Sequence, residues 1–263
     1  MDTSDLEQNI EAGEHNFVRA TVEDGIGWLT LNEPARLNPV SAQRIQEINR
    51  VCTAFAIDPD VRVVVVTGAG RGFCSGADLA TIDPSAPLPP ASGSTIGPDS
   101  LWTLTYLPQP VIAMVNGPAI GYGCELALQA DIRMASTDAT FALPFAKLGT
   151  VSDTGAGTWL LPRLVGADRA AELLYTGRKV GAEEALRLGL VTRVVNSSTL
   201  REETRQLASA IATNSPWSLR AMKRMLWNGL EHRRREHLTM QYAYQESGDP
   251  DFDLTAYLAR FRG

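Results

Sequence analysis

Two glycine-rich turns, each directly behind an apolar run, hold the residues of this chain best suited to chemistry. The first is Gly68-Ala69-Gly70-Arg71-Gly72-Phe73-Cys74-Ser75-Gly76-Ala77-Asp78-Leu79, after the valine run 61–67. The second is Gly117-Pro118-Ala119-Ile120-Gly121-Tyr122-Gly123-Cys124-Glu125-Leu126, after the run 111–116. Neither fits a dinucleotide template: GxGxxG counted from Gly68 requires glycine where Phe73 stands, and counted from Gly121 it requires glycine where Leu126 stands. GxxxxGK[ST] and GxSxG occur nowhere, which removes the P-loop and the nucleophile elbow. What remains is two turns whose small residues let backbone N–H groups point into a shared space, each opening a helix whose N-terminal dipole favours negative charge. Two such donors can hold an oxyanion. A carbonyl whose α-carbon loses or gains a proton becomes enolate-like in the transition state, and one preorganised donor stabilises that state by roughly 3 kcal/mol. Tight packing is the competing use of the same turns. Glu125, inside the second helix among Cys124, Leu126 and Ala127, faces the same choice between chemistry and complementing the dipole.

The surrounding segments specify the frame that must position these turns. Segments 17–22 and 27–31 are β-branched and separated by Glu23-Asp24-Gly25, a hairpin signal. Behind a Ser41 cap, Ile45, Ile48, Val51 and Phe55 recur at helical spacing to Phe55. The run 61–67 reads as a strand covered on both faces. The strand-then-glycine unit recurs, which implies repeated strand-turn-helix architecture. Between the two units, 83–99 is rich in Pro, Ser and Gly and reads as a mobile loop over a site or a surface insertion. From Leu160 onward apolar stripes at 170–174, 182–188, 200–212 and 219–230 predict helices, interrupted by a strand at 191–195. These patterns divide the chain into a tail at 1–16, a mixed β/α core at 17–197 and a helical domain at 198–263.

At 263 residues and 44% hydrophobic content the chain can bury a substantial core. Its three cysteines, Cys52, Cys74 and Cys124, are scattered, with no CxxC and no cluster with His15, His232 or His237, which points to reduced thiols in a cytoplasm and no metal site. Cys74 and Cys124 lack a base nearby in sequence and read as small buried hydrophobes. The acidic N-terminal stretch resembles no signal or transit peptide, and no apolar run is long enough to span a bilayer. A net charge of -6 excludes nucleic acid as a general partner. The basic run 232–235 is flanked by Glu231 and Glu236 and reads as a solvated helix face or subunit contact.

The two glycine segments, together with Leu161-Pro162-Arg163-Leu164-Val165-Gly166, Glu172 to Arg178 and Ala182 to Val195, resemble the enoyl-CoA hydratase/isomerase (crotonase) family over about residues 17–263. That resemblance implies an α/β fold, a crotonase-like spiral of ββα units with a C-terminal helical domain. It further implies assembly as a homotrimer or dimer of trimers. The substrate is an acyl-CoA, with coenzyme A entering as part of the thioester and no separate cofactor. The amides of Ala77 and Tyr122 would form the oxyanion hole, Tyr122 standing where many members carry glycine and narrowing the acyl pocket. Arg36-Leu37-Asn38-Pro39 matches the segment lying along coenzyme A, with Arg36 a phosphate partner. Ser75, Gly76, Asp78, Leu79 and Phe145 fall in the substrate-contacting segments, Asp78 as a local hydrogen-bonding group.

Hydratases of the family use two glutamates. Glu125 matches the first, while Phe145 occupies the place of the second. A carboxylate returns in Gly149-Thr150-Val151-Ser152-Asp153-Thr154-Gly155, which resembles branches where an aspartate acts as base or nucleophile on aromatic-derived acyl-CoAs, isomerases and dehalogenases among them. Asp153 is thus a catalytic partner for Glu125, or a helix cap. A non-catalytic acyl-CoA binding protein is the remaining reading.

Overall fold

The computed structural model of the chain describes residues 17–81, 101–152, 154–253, 255 and 258. The tail at 1–16, the segment 83–99 and Asp153 lie outside the described residues.

Local signals produce the first elements. β1 (Val18–Glu23) and β2 (Ile26–Leu31) pair antiparallel through Asp24 and Gly25, whose φ of 52° and 79° are the left-handed pair of a type I′ turn. Helix α1 (Ala42–Ile57) starts where the Ser41 side chain accepts from the Arg44 N–H at 3.4 Å, and it buries Ile45, Ile48, Val51, Cys52 and Phe55 along one face. It ends two residues beyond Phe55.

β3 (Val63–Gly68) is buried along its whole length and lies parallel between β2 and β4 (Val111–Val115). With β6 (Ile132–Ser136) and β9 (Arg193–Val195) these strands form a six-stranded sheet of order β1-β2-β3-β4-β6-β9. A second sheet of order β5-β7-β8 is built from β5 (Pro118–Ile120), β7 (Thr140–Ala142) and β8 (Val180–Gly181). The valine run of β3 splits between two cores because successive side chains point to opposite faces: Val64 and Val66 join the larger cluster, Val63 and Val65 the smaller.

The helices cover both faces: α2 (Thr103–Tyr106), α3 (Tyr122–Leu128), α4 (Ala156–Trp159), α5 (Leu161–Val165), α6 (Ala167–Thr176), α7 (Ala182–Leu188), α8 (Leu200–Ala212), α9 (Pro216–Asn228) and α10 (Arg234–Ser247). The architecture is the mixed α/β one that the resemblance implies. Helix α8 lies just beyond position 198, yet its Leu200, Ala208 and Ala212 pack against Ile26, Trp28, Val63 and Val65 under the main sheet. By contrast α10 buries none of its residues, and the basic run at its start is exposed, with Glu236 accepting from the Arg233 N–H at 3.0 Å.

Helix α9 is pinned to the core by charge. The Lys223 ammonium stands 2.9 Å from Asp131 and also donates to the carbonyls of Leu104 (3.2 Å) and Gln109 (2.8 Å). Asp131 further accepts from the Val111 N–H and from the Trp227 indole, each at 2.7 Å. Burial draws the Lys223 pKa down, with Asp131 opposing. Trp227→Phe removes one charge-assisted bond while keeping an aromatic ring, and is expected to lower unfolding free energy in urea by about 1–2 kcal/mol. An unchanged denaturation midpoint would show that the indole bond contributes nothing to docking α9.

Candidate active site

The two glycine turns leave the C-terminal ends of β3 and β4, the edge of a parallel sheet where ligands bind. Backbone hydrogen bonds knit them together. Phe73 and Cys74 donate to the Pro118 carbonyl at 3.1 and 3.0 Å, and Ile120 donates back to Cys74 at 2.9 Å. The turns also touch where a Cβ added to Gly76 would stand 2.7 Å from the Ile120 carbonyl oxygen and 3.7 Å from the Gly121 Cα.

The same two glycines aim the amides that follow them. Gly76 has φ 92° and Gly121 has φ 54° with ψ -121°, conformations that favour glycine. The Gly76 carbonyl accepts from the Val40 N–H at 2.8 Å, so across the trans peptide the Ala77 N–H points away from Val40. The Gly121 carbonyl accepts from the Glu125 N–H at 3.0 Å as the first bond of α3, which turns the Tyr122 N–H out of the helix end. Among the described residues neither the Ala77 nor the Tyr122 N–H has a hydrogen-bond acceptor. The Tyr122 ring is packed into the core, and burial raises its phenol pKa, with Cys74, Cys52 and Glu125 as charged-form neighbours adding to the shift. Cys74 and Cys124 are buried and their thiols are pushed up to about 12, chiefly by desolvation, which fits the inert reading.

Glu125 is fully buried one turn into α3. Its carboxylate accepts from the Gly157 N–H at 2.8 Å, the Thr154 N–H at 3.1 Å and the Ser152 hydroxyl. Phe145 is buried in a 3₁₀ turn (Pro144–Leu148), with its ring tip 4.0 Å from where a Cβ on Gly121 would stand. The aromatic ring thus abuts the second turn.

The segment 36–40 runs alongside the first turn. Ser75 donates through its N–H to the Leu37 carbonyl (2.8 Å) and through its hydroxyl to the Arg36 carbonyl (3.4 Å). Asn38, fully buried, spreads its amide over the carbonyls of Ala69, Gly72 and Phe73 at 2.9–3.2 Å. Leu79 is 69% exposed beside this turn. Arg36, expected to face phosphate, clamps Asp78 with both guanidinium nitrogens, one bond being 2.9 Å, and also reaches Glu33 at 3.2 Å. Arg44 adds a third contact to Asp78 at 3.0 Å. Gly157 and Arg44 carry no mark in the sequence, because their partners lie tens of residues away; Asn38, Ser152 and Thr154 were visible only as parts of their segments.

The Arg36 guanidinium holds the Asp78 carboxyl below its usual range, with burial opposing, and the Ala80 N–H and Arg44 assisting. A carboxyl whose folded pKa is depressed adds stability above its unfolded pKa of about 4, and that stability is lost as pH falls through the folded value. The urea midpoint of the protein is therefore expected to fall between pH 5 and pH 3 (roughly, from the reference carboxylate range) by more than that of Asp78→Asn. Parallel pH profiles of the two proteins would remove Asp78 from the acid limb.

A family profile described as enoyl-CoA hydratase/isomerase matches residues 21–257. The chain is 36% identical to 1,2-epoxyphenylacetyl-CoA isomerase of Escherichia coli K12 over 252 residues, which cover 93% of this chain and 96% of that protein. It is 35% identical to the short-chain-enoyl-CoA hydratase of Clostridium acetobutylicum over 219 residues, 83% of this chain and 84% of that protein. The crystal structure of enoyl-CoA hydratase from Bacillus anthracis superposes with a TM-score of 0.85 at 33% identity, covering 94% of this chain and 96% of that one.

Proposed function

Since the chain belongs to the enoyl-CoA hydratase/isomerase family, with its crotonase-type fold and acyl-CoA hydratase/isomerase activity, we propose that its own reaction is migration of a carbon-carbon double bond in an enoyl-CoA. The observation that carries this reading is the pair of unpartnered N–H groups on Ala77 and Tyr122 beside a buried glutamate, with Phe145 against the second turn. The thioester oxygen sits between the two N–H groups. Glu125 takes a proton from the α-carbon of a 3-enoyl thioester; the C–H electron pair moves into the α,β-bond and the π electrons spread toward the γ-carbon and the oxygen. The negative charge is held by the two amides. A proton returned to the γ-carbon leaves the 2-enoyl thioester.

Asp153 is the proposed second proton carrier, since its chain neighbours Ser152 and Thr154 both bond to Glu125. Phe145 supports isomerisation over hydration: its ring cannot activate water, and it stands where a two-glutamate hydratase needs its other acid. Coenzyme A enters with the substrate and no separate cofactor takes part. The segment 36–40 with Ser75 and Leu79 is the proposed contact for the coenzyme. A homotrimer or dimer of trimers is proposed on the exposed apolar side chains of α9 and α10, Leu226 at 71% and Tyr242 at 58% among them. A cytoplasmic location is proposed on three cysteines that form no disulfide.

The test sets a 3-enoyl-CoA, followed by the rise in conjugated-thioester absorbance, against crotonyl-CoA, followed by its loss. Isomerisation is expected to be the faster reaction. Faster hydration of crotonyl-CoA would overturn the assignment, and normal isomerisation by Asp153→Asn would leave Glu125 as the sole proton carrier.

A further inference from the structure

Four of the chain's five tryptophans line one cavity, and its position relative to Glu125 points to the kind of acyl group the enzyme takes. The cavity holds about 710 Å³ between the core and helices α9 and α10. Trp102 and Trp159 form its core side and meet edge to face, with ring centroids 5.7 Å apart. Trp217 and Trp227 come from α9 and Tyr244 from α10, and Trp217 meets Tyr244 edge to face at 6.0 Å. All five aromatic side chains are half-buried, while Arg220, Glu231 and Asp251 at the rim are exposed.

The core side of this cavity is tied to the groups that hold the Glu125 carboxylate, by a hydrogen bond from Trp102 and by the chain from Trp159. The Trp102 indole donates to the Thr154 carbonyl at 2.8 Å, and the Thr154 N–H donates to Glu125. Trp159 lies two residues beyond Gly157, whose N–H also donates to Glu125, in the short helix α4. Two separate chain paths therefore lead from the Glu125 carboxylate to the aromatic wall in one or two residues. The volume is that of a site for a drug-sized ligand, far more than a four-carbon acyl group fills. Two of the indoles are oriented by their own N–H bonds, Trp102 to Thr154 and Trp227 to Asp131, so their ring directions are fixed before a ligand arrives. Fixed rings reward a planar aromatic guest through edge-to-face contacts beyond area burial, which a flexible alkyl chain cannot make.

We propose that the distal end of the acyl group is an aromatic ring seated in this cavity, so that the enzyme's substrates are aryl-bearing enoyl thioesters. This inference rests on the acyl-CoA reading above. The test uses saturated thioesters, which cannot react: 4-phenylbutyryl-CoA and octanoyl-CoA, each titrated calorimetrically into the full-length protein. The phenyl thioester is expected to bind about tenfold more tightly. Trp217→Ala is expected to abolish most of that preference and Trp217→Phe to retain it; Tyr244→Ala, on the other helix, gives an independent second reading. Equal affinities in the unmodified protein overturn the inference, as does a preference that survives both alanine variants. Loss of oligomer mass in Trp217→Ala with the preference intact also overturns it, by assigning the cavity to a subunit contact. A protein that turns over enoyl-CoA yet binds the two analogues equally refutes the ring site alone. One that binds neither refutes the acyl-CoA reading with it.

Discussion

Glu125→Gln is expected to lower kcat on an enoyl-CoA by a factor on the order of a hundred or more, the loss typical of a removed general acid/base. The substitution preserves shape and burial while removing the group that exchanges a proton. Its effect on KM is expected to be small, because the thioester oxygen is proposed to bind the Ala77 and Tyr122 amides and not the carboxylate. The cradle around Glu125 adds a second expectation. Two of its three donors are backbone N–H groups, of Gly157 and Thr154, which cannot reverse direction; only the Ser152 hydroxyl can rotate to accept. A glutamine offers one oxygen and one NH2, so at least one backbone donor faces a donor. That mismatch is expected to cost about 1–3 kcal/mol of stability, measurable by urea denaturation. A variant that keeps its turnover number would sink the catalytic assignment, whatever its stability.

Gly121→Ala should have an effect of similar size for a different reason. A Cβ at this position meets only the tip of the Phe145 ring, at 4.0 Å, so packing tolerates it. The backbone does not. With φ 54° and ψ -121° the residue occupies a region that an L side chain enters at a cost of about 1–3 kcal/mol. Relief of that strain rotates the peptide joining residues 121 and 122 and carries the Tyr122 N–H off its line. Loss of one oxyanion donor is worth roughly a hundred- to a thousandfold in kcat. The folded protein should therefore persist with kcat reduced to that degree, and its amide can be followed by whether it still binds an enolate-mimicking thioester. Full activity in a folded Gly121→Ala protein would mean that the Tyr122 amide holds nothing in the transition state.

What could be seen in the sequence is what neighbouring residues decide among themselves. The hairpin around Asp24-Gly25, the Ser41-capped helix and helix 200–212 all follow from local rules, and the observed elements agree to within about two residues. The two glycine turns were visible as well. Pairing at long range was not. The second sheet consists of strands of two or three residues whose partners lie 22 to 41 positions away, too short to leave a periodic trace. The cradle of Glu125 draws on residues 27 to 32 positions distant, and the Arg36–Asp78–Arg44 cluster spans 34 to 42. Helix 200–212 showed an apolar stripe, but no stripe says which surface it will cover. That it lies beneath the main sheet follows only from the three-dimensional arrangement.

The three cysteines give the protein a set of internal reporters. Cys52 belongs to α1, Cys74 to the first turn and Cys124 to the helix behind the second, so the thiols sample three separate parts of the frame around Glu125. Each is buried, and burial pushes each thiol up to about 12, so none reacts while the structure stays closed. Alkylation under native conditions therefore proceeds only through molecules in which that part has opened, and its rate reads out the population of those molecules. A thioester that bridges the two turns would slow labelling at Cys74 and Cys124 together. Cys52, one helix removed, would time the breathing of the scaffold itself.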